Sequence, residues 1–445
     1  MNNNGYLKIT AKKVLIAIAV IALIPILIFT GCNSERAAFN WVRTQIDSHY
    51  YFSVPSDSIY NGSVKEYVEK YLDKYSKFYT AEEYEQVIAT DSGNMEGVGI
   101  SFDYVAQGLH PSGKGGVYLT KVVGNSPAYH SGLRAGEFIK SGNYNGVEYT
   151  FDGKAEFTQF LDSIPSNTSF GLTTDIGTYV TSKTKYEASY CYMATNSLQW
   201  NITYDDGNMK VVEEEGGKAC LPDGAAYLRL DQFYGKSADE MASLMAIYNS
   251  KNCTSLILDL RRNGGGYVSV MGDISSIYTG QLQNRLSNTG IAEYKYGNKE
   301  NFSIGKSFSV EKCFPAGAKL TVLADSGTAS ASEALIGVLI TNGVIGYSDV
   351  YISDFSQNYL TFSKTEQKNG RTYGKGIMQT TYQHSIYKYA IKLTTAKIYW
   401  PDGVTSIHGT GLGQDMGCQT VAADWNVTYF DEQLSLAVQS IYGVI

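Results

Sequence analysis

Two short stretches in the C-terminal half carry residue types suited to acyl transfer. From Asp325 to Gly337 the chain reads DSGTASASEALIG, in which Thr328, Ser330 and Ser332 alternate with small residues and run into Glu333. The apolar runs KLTVLA before it and ALIGVLI after it predict a strand passing into a helix. A helix start needs a hydroxyl cap, and Ser330 or Ser332 can supply it. The same helix end also offers unpaired N–H groups and the positive end of the dipole, which suit an oxyanion. One of these hydroxyls can therefore be a cap or a nucleophile.

A serine nucleophile needs a base. The chain has only five histidines, His49, His110, His130, His384 and His408, and no Gly-x-Ser-x-Gly elbow. A Ser-His-Asp arrangement is disfavoured, with His384 and His408 left open as its base. The second stretch, TYGKGIMQTTY, offers a lysine instead. Lys375 sits between two glycines in an apolar, aromatic setting. Burial disfavours the ammonium form, so a lysine so placed can accept a proton. Gln379 lies at a spacing from which its amide can hold the neutral amine. Taken alone, the stretch also reads as a solvated hairpin lysine.

The elements that must position these residues follow from pattern. AAYLRLDQFY, SLILDLRRNGGG and KLTVLADSG are apolar strands followed by loops and helical stretches. That order argues for an α/β fold with a largely parallel sheet over residues 225–445. Residues 191–224 are polar and, with DDGNMKVVEEEGGK, read as a hairpin turn and connector. Residues 93–190 alternate like strands, broken by glycines and one short helix starting near Ser126-Pro127. Residues 32–92 read as helical: Phe39, Val42 and Ile46 recur at helical spacing, as do Val64, Tyr67 and Tyr71, and Thr80 with Glu83 forms a capping box. The whole is an α/β, or α+β multidomain, chain.

At 445 residues there is room for two or three domains. A net charge of −7, with no long basic run beyond the first dozen residues, argues against nucleic acid as a partner. Lys8, Lys12 and Lys13 precede the apolar run Val14–Phe29 and then TGCNS, a targeting segment over residues 1–31. An uncleaved anchor is the other reading, although the run is short for a span. Beyond Cys32 the cysteines are Cys191, Cys220, Cys253, Cys313 and Cys418, whose spacing is neither a disulfide framework nor a zinc pattern. Buried small hydrophobes are expected, with one or two bridges possible.

Several of these stretches, in the same order, resemble the C-terminal processing (tail-specific) peptidases, Ser-Lys proteases of the S41 type. They are YLDKYSKFYTAEEYEQV with GVGI, AAYLRLDQF, LILDLRRNGGG, TASASE, YGKGIMQ and LTTAKIYWPDGVTSIHGTGL. The resemblance runs from about residue 60 to 415. It implies a ClpP/crotonase-like catalytic core with Ser330 as nucleophile, Lys375 as general base and Gln379 orienting that base. Glu333 would support the helix start, and backbone N–H groups of Ala331 and of Gly264 or Gly265 would hold the oxyanion. The substrates would be proteins or peptides, with no metal or organic cofactor.

SPAYHSGLRAGEFIKSGNYNGV resembles the PDZ pattern, with Glu137 where Asp is usual. By that likeness Gly97, Val98, Gly99 and Ile100 would receive a peptide carboxylate. TGCNS resembles the lipobox of bacterial lipoproteins, which implies lipidation of Cys32, membrane attachment and a place in the cell envelope. The stretch between Ser330 and Lys375 is longer than that family's and is expected to be an extended surface hairpin, in which Lys364 and Lys368 are competing lysines. A non-catalytic peptide- or apolar-ligand-binding lipoprotein on the same fold is the rival reading. A scaffold centred on the PDZ-like module is another. The oligomeric state is not legible in the sequence.

Overall fold

The computed structural model describes residues 35–108, 113–354, 370–422 and 430–443. Cys32, His110, Lys364 and Lys368 lie outside the described residues. Two compact units divide the chain. One comprises the residues up to Glu85 with Tyr294–Asn298 and Met378–Ala396, the other Gln86–Glu293, Lys299–Ile377 and the residues from Lys397 onward.

The first unit is a helical layer on a strand pair. Residues 35–49 and Val64–Tyr71 are helices whose apolar stripes, Ala38, Val42 and Ile46 with Val64, Tyr67 and Val68, close on Ile391 and Leu393. The short strand Lys77–Tyr79 pairs antiparallel with Ala390–Lys392. The Thr80–Glu83 capping box forms, with both reciprocal bonds present at 3.0 and 3.2 Å.

The second unit contains two sheets built for different jobs. Residues 94–187 form a seven-stranded antiparallel sheet with the short helix Pro127–His130 and the helix Lys154–Ser163. Val117, Leu119, Leu133, Phe157, Phe160, Phe170 and Leu172 make its core. Asn145 and Gly146 take φ of 53° and 78°, the pair of left-handed residues that a tight hairpin turn between Phe138–Tyr144 and Val147–Tyr149 requires.

The larger sheet has eight strands: β1 (Cys191–Ala194), β2 (Leu198–Asp205), β3 (Asn208–Glu215), β4 (Ala225–Leu230), β5 (Ser255–Asp259), β6 (Lys319–Ala324), β7 (Val350–Asp354) and β8 (Gln419–Ala422), ordered β3-β2-β1-β4-β5-β6-β7-β8. From β4 to β8 all pairings are parallel. Helices α1 (Ser237–Ser250), α2 (Val268–Thr279) and α3 (Ala331–Thr341) connect them. Because successive strand side chains alternate, Leu228, Leu256, Leu258 and Val322 join the helices in one core. Tyr227, Ile257 and Leu323 meet Leu434, Ala437 and Val438 on the opposite face. Both faces are covered, which is why these strands are continuously apolar.

Two expectations change. Of residues 191–224, read as a polar connector, 191–215 are three strands of the core sheet; the DDGN turn is the β2–β3 hairpin, and the outer strand, largely polar, still packs Met209 and Val211 against the core. Part of the expected surface hairpin after Ser330 is also structural, since Val350–Asp354 lies between β6 and β8 with Val350 and Ile352 fully buried. Its alternation is masked by flanking Tyr, Ser and Asp. Cys191, Cys253, Cys313 and Cys418 are buried, and none of these or Cys220 is in a disulfide.

Where the antiparallel module passes into the core sheet, Glu240 on α1 is fully buried and accepts from the Tyr190 and Cys191 N–H groups at 2.8 and 2.9 Å and from the Tyr204 hydroxyl at 2.5 Å. Burial pushes its carboxyl up to about 7 from an ordinary 4.5, against those hydrogen bonds. Between these values the folded protein holds a proton that the unfolded chain has released, so stability falls as pH rises through that window. Thermal unfolding followed from about pH 5 to about pH 8 is expected to show this decline, and Glu240→Gln to flatten it.

Candidate active site

The site lies where β6 gives way to α3 and where the loop after β5 comes up beside it, all within the second unit. Ser330 caps α3 with φ 58° and ψ −118°, a left-handed conformation that a serine rarely adopts. Strain of this kind costs about 1–3 kcal/mol and survives only where neighbours impose it. Here the neighbours are identifiable. The Ser330 N–H donates to Glu333 Oε2 at 3.0 Å, the Ala329 N–H to the Asn263 carbonyl at 3.0 Å, and the Ser332 hydroxyl to that same carbonyl at 2.9 Å. Ser332 is thus fully buried and committed to structure, while Ser330 remains partly exposed. The choice left open by spacing falls on Ser330 as the hydroxyl that can meet a substrate.

Glu333 does more than start a helix. It is fully buried, and besides Ser330 it accepts from the Gly374 N–H at 2.8 Å, the Lys375 N–H at 2.9 Å and the Thr372 hydroxyl at 2.5 Å. The Lys375 N–H and the Ser330 N–H share one oxygen, Oε2, so the two nitrogens are no farther apart than those two bonds laid end to end. Burial pushes the Glu333 carboxyl up, opposed by its donors. The 372–375 segment is fixed again by the Tyr373 N–H on the Thr328 carbonyl and by Thr372 pairing with Leu412.

The glycine loop completes the surround. A Cβ on Gly265 would lie 2.8 Å from Ser330 Cβ, the Ala331 nitrogen and the Ala329 carbonyl oxygen, so only glycine permits this approach. The Gly265 N–H donates to Asn263 Oδ1 at 2.9 Å. Among the described residues the N–H groups of Gly264 and of Ala331, the first residue of α3, have no hydrogen-bond partner. Of the two glycines expected as oxyanion donors, Gly264 is therefore the one whose N–H is not already engaged.

The loop springs from Asp259, fully buried and bonded by Arg261, Tyr227 and Arg229. Burial works against its charge, but Arg261 and Arg229 hold the carboxyl well below the usual carboxylate range.

Sequence reasoning gave Asn263 no role, yet it clamps both loops: fully buried, it donates to the Leu230 carbonyl at 2.9 Å, takes the Gly265 N–H, and offers its own carbonyl to Ala329 and Ser332. The signal was present, because an Asn before consecutive glycines favours a bond to the N–H two residues on.

Gln379 belongs to the first unit, where its amide donates to Thr394 Oγ1 at 3.1 Å, which in turn donates to Asp73 at 3.1 Å. Of the alternative bases, His384 is in that unit too, with Nδ1 accepting from Ile386 and Tyr387 N–H groups. His408 is exposed, with its backbone against Gly376. Gly97–Ile100 forms a bend in the antiparallel module: Gly97 and Gly99 have φ of 149° and 84°, Val98 is buried, and the carbonyls of Val98 and Gly99 accept from Ala128 and Val123.

The family model described as peptidase family S41 matches residues 224–347, the span from β4 through α3 that holds Asn263, the glycine loop and Ser330. That span is similar to peptidase family S41. The chain is 24% identical over 395 residues to a probable CtpA-like serine protease of Staphylococcus epidermidis, covering 88% of the chain and 68% of the relative. It is 23% identical over 388 residues to the carboxy-terminal processing protease CtpA of Bacillus subtilis, covering 85% and 68%. Its fold is similar to that of a putative S41 protease from Bacteroides fragilis, with a TM-score of 0.60 at 13% identity over 91% of this chain and 97% of that one. The chain is accordingly a serine-type peptidase acting on proteins or peptides, and its architecture is the mixed α/β, multidomain one expected.

Removing the Glu333 carboxylate leaves buried donors from two segments without an acceptor. Glu333→Ala is expected to lower stability by about 3 kcal/mol or more in a denaturant titration and to abolish peptidase activity.

Proposed function

We propose that this peptidase cleaves polypeptides near their C-termini by a Ser330–Lys375 dyad. The observation that carries the reading is the strained turn at Ser330, whose N–H meets the Lys375 N–H on one oxygen of Glu333. Ser330 Oγ attacks the scissile carbonyl as the neutral Lys375 amine takes its proton. The tetrahedral oxyanion is held by the N–H groups of Ala331 and Gly264. The C–N bond then breaks, Lys375 returns the proton to the leaving amine, and water hydrolyses the acyl-enzyme by the reverse sequence. Gln379, to which the resemblance assigns the orienting of the amine, donates its amide to Thr394 within the first unit. A substrate C-terminus enters at Gly97–Ile100, a reading supported by two left-handed glycines that turn the chain at a strand start beside an open sheet edge.

Full-length protein treated with a fluorophosphonate probe is expected to label in the wild type and not in Ser330→Ala. Lys375→Ala is expected to fold normally and lose at least about a thousandfold in kcat/KM. Because only the unprotonated amine is a base, the wild-type rate is expected to climb from neutral into mildly alkaline pH. Full activity in Lys375→Ala, or a rate that falls over that range, rejects the dyad.

The protein is further read as a cell-envelope lipoprotein held to a membrane through Cys32. Support comes from the three lysines, the apolar run and the TGC sequence before it. No helix among the described residues is long and apolar enough to cross a membrane. Wild type expressed from the full sequence is expected to partition into detergent with the mass of a lipidated Cys32 N-terminus, and Cys32→Ser to lose both features.

A further inference from the structure

Within the first unit, residues 378–396 carry a strand pair, Met378–Gln383 with Ala390–Ala396, joined by a turn over His384–Lys388. At that turn Ile386 is 75% and Tyr387 63% exposed, two adjacent hydrophobic side chains facing outward. The backbone beneath them does not need water. His384 Nδ1 accepts the N–H groups of Ile386 and Tyr387, each at 3.2 Å, and the His384 carbonyl takes the Lys388 N–H at 3.0 Å. The Lys388 carbonyl in turn accepts from the Gln383 amide at 3.2 Å. Three successive backbone donors are thus satisfied inside the tip, which is the condition for placing a chain segment where water is scarce.

Aromatic rings fix the tip to the first helix. Trp41 meets His384 and Tyr389 edge-on at 5.4 and 5.3 Å, and Tyr387 stacks with Tyr389 at 6.0 Å. Trp41 stands six residues into the helix over residues 35–49, about 9 Å along its axis from Glu35. Cys32 precedes Glu35 by three residues, so its Cα lies within about 11 Å of Glu35 by chain length alone. The tip is therefore held a short way from the residue read above as the lipid anchor. Its charge matches a bilayer too: from Met378 to Ala396 there are two lysines, Lys388 and Lys392, and no carboxylate, in a chain of net charge −7. Tyrosine and tryptophan rings with a lysine beside them are side chains that settle at the headgroup level of a membrane.

We infer that this tip is a membrane-docking element, in which Ile386 and Tyr387 enter the headgroup region and Lys388 faces anionic lipid phosphates, seating the first unit on the bilayer that holds Cys32. The inference rests on the lipoprotein reading above and adds a second, reversible contact with the same surface. One isoleucine and one tyrosine bind a membrane only weakly on their own. Held beside an anchor they act at a high effective concentration, so docking is the resting state of the tethered protein.

The test uses protein expressed from the full sequence and reconstituted into vesicles of phosphatidylethanolamine and phosphatidylglycerol, with or without lipid brominated near the headgroup end of its chains. Tyr387→Trp places a fluorescent reporter at the tip, read after subtraction of wild type with its four tryptophans. Val310→Trp, at a position 70% exposed in the second unit, is the reference. The tip reporter is expected to be blue-shifted and to lose at least about half of its intensity to brominated lipid, and the reference to lose little. Adding Ile386→Ser and Lys388→Glu is expected to restore most of that emission without moving the thermal midpoint, since all three tip positions are exposed. Equal quenching of tip and reference overturns the inference, as does an unquenched tip or quenching that the added substitutions leave intact. A blue shift without quenching places the tip against protein, a second copy included, and overturns it too. Mass spectrometry of the same sample keeps the two readings apart. A lipidated Cys32 with an unquenched tip rejects docking alone, whereas quenching without lipidation rejects the lipoprotein reading and leaves the docking tip standing.

Discussion

One buried carboxylate joins two chain segments that are remote in sequence, and the proposed dyad depends on that junction. Glu333 is fully buried, and a charge taken out of water is costly unless its oxygens are met by donors. It has four, one from the serine's own turn and three from the segment ending at Lys375. The arrangement is reciprocal. Those donors keep the carboxylate tolerable, and the carboxylate holds Ser330 in a conformation it would otherwise leave.

The amide of Asn263 plays the matching part on the other side of the serine. It ties the glycine loop to the end of β4, and the backbone carbonyl of the same residue takes the turn before α3. Both clamps stand on parallel strands covered on each face, so their frame is rigid. Asp259, held by two arginines at the end of β5, anchors the point where that frame becomes a loop. The precision needed for acyl transfer therefore comes from side chains that never touch a substrate, positioned on a sheet that ordinary apolar alternation builds.

Much of this was legible in the residues. Continuous apolar strands followed by glycine turns and helices announced the parallel sheet, and Thr80 with Glu83 announced its capping box. Ser330, Glu333, Lys375 and the glycine loop were drawn together by motifs in a fixed order. Less visible were features that depend on pairing across the fold. Largely polar β3 and the short β7, VYISD, did not look like core-sheet strands, because an edge strand is solvated and a short inner strand can hide its alternation among polar neighbours. The left-handed turns at Ser330 and Arg262 could not be read from residue type, since both residues disfavour them and tertiary bonds impose them. Asn263 was readable as a turn former but not as a clamp, because its other partners lie far along the chain, on β4 and at the start of α3.

The first compact unit is stitched from three separate lengths of chain, and the cluster that its helix over residues 35–49 forms with Val64, Tyr67 and Val68 is completed only at Ile391 and Leu393. A ribosome delivers those partners near the end of synthesis. Until then the two early helices can pack on each other but leave uncovered the apolar surface that Ile391 and Leu393 close, and the strand bearing Gln379 has not emerged. Completion of this unit is thus timed by topology: a half-made chain of this kind carries Ser330 well before its first compact unit can close.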